Sequence, residues 1–127
     1  MAVVIRAAHY PGRSAIEAYG NGGFRFAGMS HRGSLLCLPS GIYGWEAADP
    51  DALDEESLTR VFAEADKIEI LLVGTGTELR PLSPTLRDRC RAEKVVAEPM
   101  ATGAAVRTFN VLLAEERAVA AALIAID

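Results

Sequence analysis

The stretch from residue 68 to residue 84 constrains the fold of this chain more than any other. Its first six residues, 68–73, form an almost continuous apolar run. Such a run with turn residues at its ends predicts a strand covered on both faces, as in the middle of an α/β sheet. After a glycine-containing loop, Ser83 can cap a helix and Pro84 suits its first position, so we predict a helix that runs to about Glu93.

Three further segments extend this strand–loop–helix unit. Residues 95–97 are short and apolar and are bounded by Pro99, which predicts the next strand. A helix should begin at Thr102, because an apolar stripe recurs at helical spacing over the residues that follow. Residues 118–126 predict a closing strand. Right-handed crossovers would make at least the first two of these strands parallel neighbours.

The glycine-rich first half predicts antiparallel strands. Residues 15–19 alternate between apolar and polar side chains and end at a glycine turn. Residues 24–27 and 34–38, which flank a run of turn residues, predict a β-hairpin. Residues 42–45 predict another extended segment. The acidic residues 54–56 predict the start of a helix, because carboxylates there complement the helix dipole.

Together these elements predict an α/β fold in a single domain over residues 1–127. A chain of 127 residues is long enough for one hydrophobic core and too short for two ordinary domains. The most economical architecture is a compact three-layer domain with a central mixed sheet, flanking helices and an antiparallel hairpin layer.

The composition excludes several classes of protein. The net charge of -4 leaves no basic stripe to displace counterions from a nucleic acid. The longest apolar run, residues 118–126, is about half of the roughly twenty residues that a membrane helix needs. The N-terminus lacks the order of charge and apolar core that marks an export signal. We therefore expect a cytoplasmic protein that binds no nucleic acid and does not insert directly into a membrane.

The loop formed by Gly74, Thr75, Gly76 and Thr77 is the first candidate binding site. It has a strand before it and a helix after it, the setting in which backbone N–H groups and a helix dipole hold an anion. However, the third glycine of a dinucleotide fingerprint is absent, and no Gly-Lys-Ser/Thr follows. The sequence leaves two possibilities open, a tight structural turn and an anion-binding loop.

Thr102, Arg107 and Asn110, in the first part of the last helix, are the second candidate. Helical geometry turns Arg107 and Asn110 away from the apolar stripe, towards a cleft that they could share with Thr75. Thr102 and residues 75–77 should meet, because both follow the carboxyl ends of neighbouring strands. Arginine and asparagine recognise carboxylates or amides, but they also satisfy loop carbonyls, and both roles stay open for this pair.

No residues form a recognisable catalytic or metal-binding set. His9, His31, Cys37 and Cys90 are dispersed along the chain. Cys90 lies between two arginines, which could lower its pKa, although an ordinary helical thiol is the stronger interpretation. We therefore expect no catalytic residue, no cofactor and no metal.

A family resemblance covers nearly the whole chain. The motifs that carry it are Gly23-Phe24, Gly33-Ser34, Pro39, Trp45, Gly74-Thr75-Gly76, Pro81, Pro84, Met100-x-Thr102, Thr108-Phe109-Asn110-x-Leu112 and Glu115-x-Arg117-x-Val119. On these motifs the sequence resembles a family of domain-of-unknown-function proteins that includes a mitochondrial respiratory complex I assembly factor and an adipogenesis-associated protein. The resemblance implies a three-layer α/β fold, no established enzymatic activity and a role in assembling a membrane-bound respiratory complex.

Two positions depart from the pattern of this family. Ala101 stands where an acidic or amide side chain is common, which weakens any proposal of a catalytic acid there. Glu116 stands where glycine is common, so we expect the last helix to lack a left-handed glycine cap.

Three functional hypotheses follow. The first is a non-enzymatic protein-interaction or assembly-factor-like protein, whose partner is another protein such as a subunit of a membrane complex. The alternative is a small-molecule or anion-binding domain, or an enzyme of unknown reaction, that uses residues 74–77. In the third, the polar motif only holds loops together and the function belongs to an exposed apolar patch.

Overall fold

The computed structural model describes residues 10–127, and this part of the chain contains eight strands and three α-helices. The strands are β1 (Ile16–Gly20), β2 (Gly23–Phe26), β3 (Met29–Arg32), β4 (Ser34–Leu38), β5 (Gly41–Trp45), β6 (Ile70–Gly74), β7 (Val96–Met100) and β8 (Val119–Leu123). The helices are α1 (Thr59–Ala63), α2 (Pro84–Ala92) and α3 (Thr102–Ala114). His9, one of the four dispersed histidine and cysteine residues, lies outside the described residues.

Five strands form a central mixed sheet in the order β5-β4-β8-β6-β7. β6 is parallel to both of its neighbours, β7 and β8, whereas β4 is antiparallel to β8 and to β5. β1, β2 and β3 form a separate antiparallel sheet. The predicted α/β class and the parallel pairing of the first two strands after residue 68 are therefore confirmed.

Alternating side chains of the central sheet divide the core into two clusters, one on each face. In β8, Ala120 and Ala122 join the cluster that α1 and α2 cover. Val119, Ala121 and Leu123 join the cluster beneath α3 and the small sheet. All five β8 side chains are buried, so the strand is covered on both faces. Its three alanines let helices pack closely against both faces, because short side chains take up little depth.

The hairpin predicted between residues 24–27 and 34–38 is wrong. β2 pairs instead with β3, which lies within the segment that we assigned to a turn, while β4 belongs to the central sheet. Ala27 and Gly28 both have positive φ, at 50° and 73°, so they form a two-residue hairpin turn of the kind that fits the twist of the strands. Gly33, at φ 99°, then lets the chain leave for the other sheet.

Two other boundaries differ from the prediction. The helix expected from residues 54–56 begins at Thr59, because Asp54 and Ser57 tie the preceding residues into a turn. The Asp54 carboxylate accepts the N–H of Ser57 at 2.8 Å, and the Ser57 hydroxyl accepts the N–H of Asp54 at 3.1 Å. Pro99 lies inside β7 rather than after it, which an edge strand tolerates because one of its sides needs no ladder hydrogen bonds.

The end of α3 also differs from the prediction. Glu116 adopts the left-handed conformation, at φ 59°, that a glycine cap would have taken. Its N–H donates to the carbonyl of Leu113 at 2.9 Å, and the N–H of Arg117 donates to that of Leu112 at 3.0 Å. These two bonds form a Schellman motif with glutamate at the glycine position. The left-handed cap of α3 is therefore present although the glycine is absent. Lys94 adopts the same left-handed conformation, at φ 62°, after the end of α2.

We predict that Glu116→Gly raises the free energy of unfolding. Relief of left-handed strain, about 1–2 kcal/mol, exceeds the added entropy of glycine in the unfolded chain, so the expected gain is about 0.5–1 kcal/mol. Urea unfolding measures it. Glu115→Gly is the matched control, because Glu115 has φ -86° and no strain to release. A loss of stability in Glu116→Gly as large as that in Glu115→Gly would contradict the prediction.

Candidate functional site

The carboxyl ends of the three parallel strands are joined where the first candidate site was predicted. The N–H of Thr75, after β6, donates to the carbonyl of Met100 in β7 at 2.8 Å. The N–H of Ile124, after β8, donates to the carbonyl of Gly74 at 2.9 Å. The N–H of Thr102 donates to the carbonyl of Gly76, also at 2.8 Å. The predicted proximity of residues 75–77 and Thr102 is therefore confirmed.

Two buried threonine hydroxyls complete this junction. Thr102 is fully buried, and its Oγ1 donates to the carbonyl of Ile124 at 2.7 Å while it accepts the N–H of Gly76 at 3.0 Å. The Oγ1 of Thr75 accepts the N–H of Arg80 at 2.9 Å and lies 2.7 Å from the carbonyl of Glu78. The Thr102 hydroxyl thus pairs with two buried backbone groups that would otherwise lack partners, and the Thr75 hydroxyl closes the turn over residues 75–80.

The same contacts argue against an anion-binding loop. The N–H groups of Thr75 and Gly76, which would have to point at an anion, already donate to the protein itself. Gly74 has a packing role, because a Cβ there would lie 3.0 Å from both Cα and Oγ1 of Thr102. Gly76 has a conformational role, since its φ of 107° disfavours any other residue. Both glycines are thus explained by the turn alone.

The surface beside this loop also has the wrong charge for an anion. The depression beside the loop has a volume of about 370 Å³ and is lined by Thr75, Gly76 and Thr77. Its lining also includes three acidic residues, Asp49, Glu78 and Asp127, and one cationic residue, Arg80. A separate depression, of about 440 Å³, lies on the small sheet.

Asn110 and Arg107 face the small sheet rather than the loop. The Asn110 side chain accepts the N–H of Ile16 at 2.8 Å and donates to the carbonyl of the same residue at 2.9 Å, which fixes β1 against α3. Arg107 is exposed, and its guanidinium donates to the Tyr19 hydroxyl at 3.2 Å. Neither lines the depression beside Thr75, so the cleft expected between them is not formed by the described residues.

The contact between Tyr19 and the first turn of α3 was not suggested by the sequence. The Tyr19 hydroxyl lies 2.5 Å from where a Cβ of Gly103 would be, so this glycine lets the ring lie against the first turn of α3. The ring keeps 38% of its surface exposed, and Val111, on the same helix, keeps 58%. The only signal in the sequence was a glycine inside the first turn of a helix, where it costs stability unless close packing requires it.

Neither thiol has the environment of a nucleophile. Burial raises the pKa of Cys37 far above its ordinary range. Burial also raises the pKa of Cys90, and the nearby Arg89 opposes this shift more weakly. This agrees with the ordinary helical thiol that the sequence favoured for Cys90, because desolvation of the thiolate outweighs the charge of Arg89.

Residues 10–127 show neither a metal-binding cluster nor a membrane-spanning helix. In this range, no group of three or more His, Cys, Asp or Glu side chains is arranged to hold a metal ion. That the protein works without a metal or cofactor stays a prediction. None of the helices in the same range is long and apolar enough to cross a membrane.

The chain is similar to a known family and to several known proteins over most of its length. A family model described as a protein of unknown function (DUF498/DUF598) matches residues 16–124. An uncharacterised protein of Rhodobacter capsulatus is 38% identical over 91% of this chain and 87% of its own length. A solved structure described as an outer membrane protein from Bartonella henselae is 57% identical, superposes with a TM-score of 0.91, and matches 94% of this chain and 100% of its own.

Several animal relatives carry a functional name. NADH dehydrogenase (ubiquinone) 1 alpha subcomplex assembly factor 3 of Xenopus tropicalis is 36% identical over 86% of this chain. The match spans 60% of that protein, so the chain corresponds to somewhat more than half of its length.

We predict that Thr102→Val strongly destabilises the fold. Valine keeps the shape of threonine but leaves the N–H of Gly76 and the carbonyl of Ile124 without their partner, and each unpaired buried group costs about 1–3 kcal/mol. The expected loss is about 2–4 kcal/mol in urea unfolding. Thr108→Val, a half-buried threonine of the same helix, should change stability by less than about 0.5 kcal/mol. Equal effects of the two variants would refute a structural role for the Thr102 hydroxyl.

A second pair of substitutions separates the roles of Asn110 and Arg107. Asn110→Ala should lower the free energy of unfolding by about 2–4 kcal/mol, because both backbone groups of Ile16 lose their partner. Arg107→Ala should change it by less than about 0.5 kcal/mol, since its hydrogen bond is solvent-exposed. Thermal and urea unfolding of both variants provide the measurement. A large loss in Arg107→Ala would make that residue structural and remove it from the candidate binding surface.

Proposed function

This chain belongs to the DUF498/DUF598 family, and on that basis we propose that it is an assembly-factor-like protein, which binds another protein rather than turning over a substrate. The observation that carries this proposal is where the polar residues of the predicted sites make their hydrogen bonds. The Thr75 and Thr102 hydroxyls and the Asn110 amide all pair with backbone groups. These residues hold the fold together, which favours a function on the surface.

The proposed partner is a subunit of a membrane NADH dehydrogenase complex. The support is the name of the animal relatives, which are 30–36% identical to this chain. We propose that the protein works in the cytoplasm and meets the membrane only through that partner. The alternative, a small-molecule or anion-binding domain or an enzyme that uses residues 74–77, is disfavoured because the first N–H groups of that loop are already paired.

We assign the binding surface to the outer face of α3. Arg107 and Val111 are four residues apart, so they lie one above the other on the exposed side of the helix. Val111 is 58% exposed. Tyr19 extends this surface, because its hydroxyl contacts Arg107. An exposed arginine beside a tyrosine is typical of the centre of a protein interface, where aromatic and arginine side chains are enriched. Val111 adds exposed apolar area next to them.

Affinity capture tests this function. Tagged wild-type protein, mixed with mildly solubilised membranes of its own organism, should recover NADH dehydrogenase subunits that mass spectrometry identifies. Val111→Glu should reduce that recovery at least tenfold, because it buries a carboxylate in the contact. The matched control is Val96→Glu, since Val96 is a 53% exposed valine on β7. Failure of the wild type to recover any subunit, or equal losses in both variants, would contradict the proposal.

A further inference from the structure

A second surface lies on the opposite face of the central sheet, in a groove between β5 and α1. Its volume is about 840 Å³, more than twice that of the depression beside residues 74–77. Apolar side chains contribute much of its lining: Leu36, Tyr43, Trp45, Ala47, Ala52 and Ala63. This surface, which we call the Tyr43–Trp45 groove, uses none of the residues that hold the strand ends together.

Polar contacts fix the two aromatic walls of the groove. Tyr43 and Trp45 are two residues apart on β5, so their side chains point to the same face of the sheet. The Trp45 indole N–H donates to the carbonyl of Ser57 at 2.8 Å, and the Tyr43 hydroxyl hydrogen-bonds Ser40. The Arg60 guanidinium lies 4.2 Å from the centre of the Tyr43 ring. Both rings remain half-exposed, so the groove offers ordered aromatic surface at little entropic cost to a ligand.

The rim of the groove is acidic. Glu46, Asp54 and Glu56 are exposed lining residues, and none of the three forms an ion pair with a lysine or arginine of residues 10–127. The one lining cation is Arg60, which stacks on Tyr43. An apolar floor bordered by carboxylates that form no ion pair is complementary to a ligand that carries apolar side chains flanked by positive charges.

We propose that the Tyr43–Trp45 groove binds a short segment of a partner protein whose apolar side chains are flanked by lysine or arginine. The inference rests on the proposed function in taking the partner to be a protein, and it adds the chemistry of the segment. The acidic rim repels phosphate, so it disfavours nucleic acids and the anionic surface of a membrane. A protein segment supplies both the apolar anchors and the cations that the groove accommodates.

Trp45 makes the groove directly observable. It is the single tryptophan of the chain, so its fluorescence and its indole N–H signal in NMR report occupancy of this site alone. The probe is a short synthetic amphipathic peptide of leucine and lysine, titrated into the full chain. Its controls are a leucine/glutamate peptide of the same pattern, a glycine/serine/lysine peptide of the same charge, and spermidine. Only the leucine/lysine peptide should shift the Trp45 signals at micromolar concentration.

Charge-neutralising variants test the rim. The double variant Glu46→Gln/Glu56→Gln should weaken binding of the leucine/lysine peptide about three- to tenfold, as expected from two solvent-exposed ion pairs. Its matched control, Glu98→Gln/Glu115→Gln, removes the same charge from exposed positions away from the groove and should leave the affinity unchanged. Equal weakening in both double variants, or equal Trp45 shifts with the leucine/glutamate peptide or with spermidine, would overturn the proposal.

The same double variants separate this inference from the proposed function. If Glu46→Gln/Glu56→Gln retains wild-type affinity for the peptide while NADH dehydrogenase subunits are still captured, the groove assignment fails and the proposed function stands. If the peptide binds as expected and no subunit is captured, the proposed function fails and the groove assignment stands.

Discussion

The fold depends on one buried hydroxyl group, that of Thr102. It accepts the N–H of Gly76, after β6, and donates to the carbonyl of Ile124, after β8, while Thr102 itself lies two residues after the end of β7 and begins α3. One side chain therefore fixes the ends of three strands and the start of a helix. Gly74 belongs to the same group of contacts, because a Cβ at this position would lie only 3.0 Å from Cα and Oγ1 of Thr102. The motifs Gly74-Thr75-Gly76 and Met100-x-Thr102 thus supply the contacts that hold the strand ends together.

The parts of the fold that could be predicted are those with local signals. β6 is a continuous apolar run, and Ser83 and Pro84 cap and begin α2 as their chemistry requires. The hairpin was missed because its turn, Ala27-Gly28, lacks the asparagine or aspartate that normally marks positive φ. Glu116 adopts a left-handed conformation that glutamate disfavours, because the chain must turn there to bring β8 back onto the sheet. A tertiary constraint therefore decided the conformation at Glu116.

Only the position of the candidate site, and not its hydrogen bonds, could be predicted from the sequence. Thr75 and Thr102 follow parallel neighbouring strands, so their proximity could be inferred from strand order. The hydrogen bonds of the Thr102 hydroxyl could not be inferred, because its partners are backbone groups 26 and 22 residues away. Asn110 likewise binds Ile16, 94 residues away. The Tyr43–Trp45 groove could not be inferred either, because its walls and rim come from β5, from α1 and from the turns before α1.

The position of β8 has a consequence for synthesis of the chain on the ribosome. β8 lies between β4 and β6, although it follows every other strand of the sheet in the chain. Until residues 119–123 emerge, the β5–β4 and β6–β7 pairs have no strand between them. Each half-sheet then presents an inner edge of unpaired N–H and C=O groups, which is a template for pairing with other chains. A nascent chain of this protein is therefore exposed to misassembly until β8 has emerged and paired with β4 and β6.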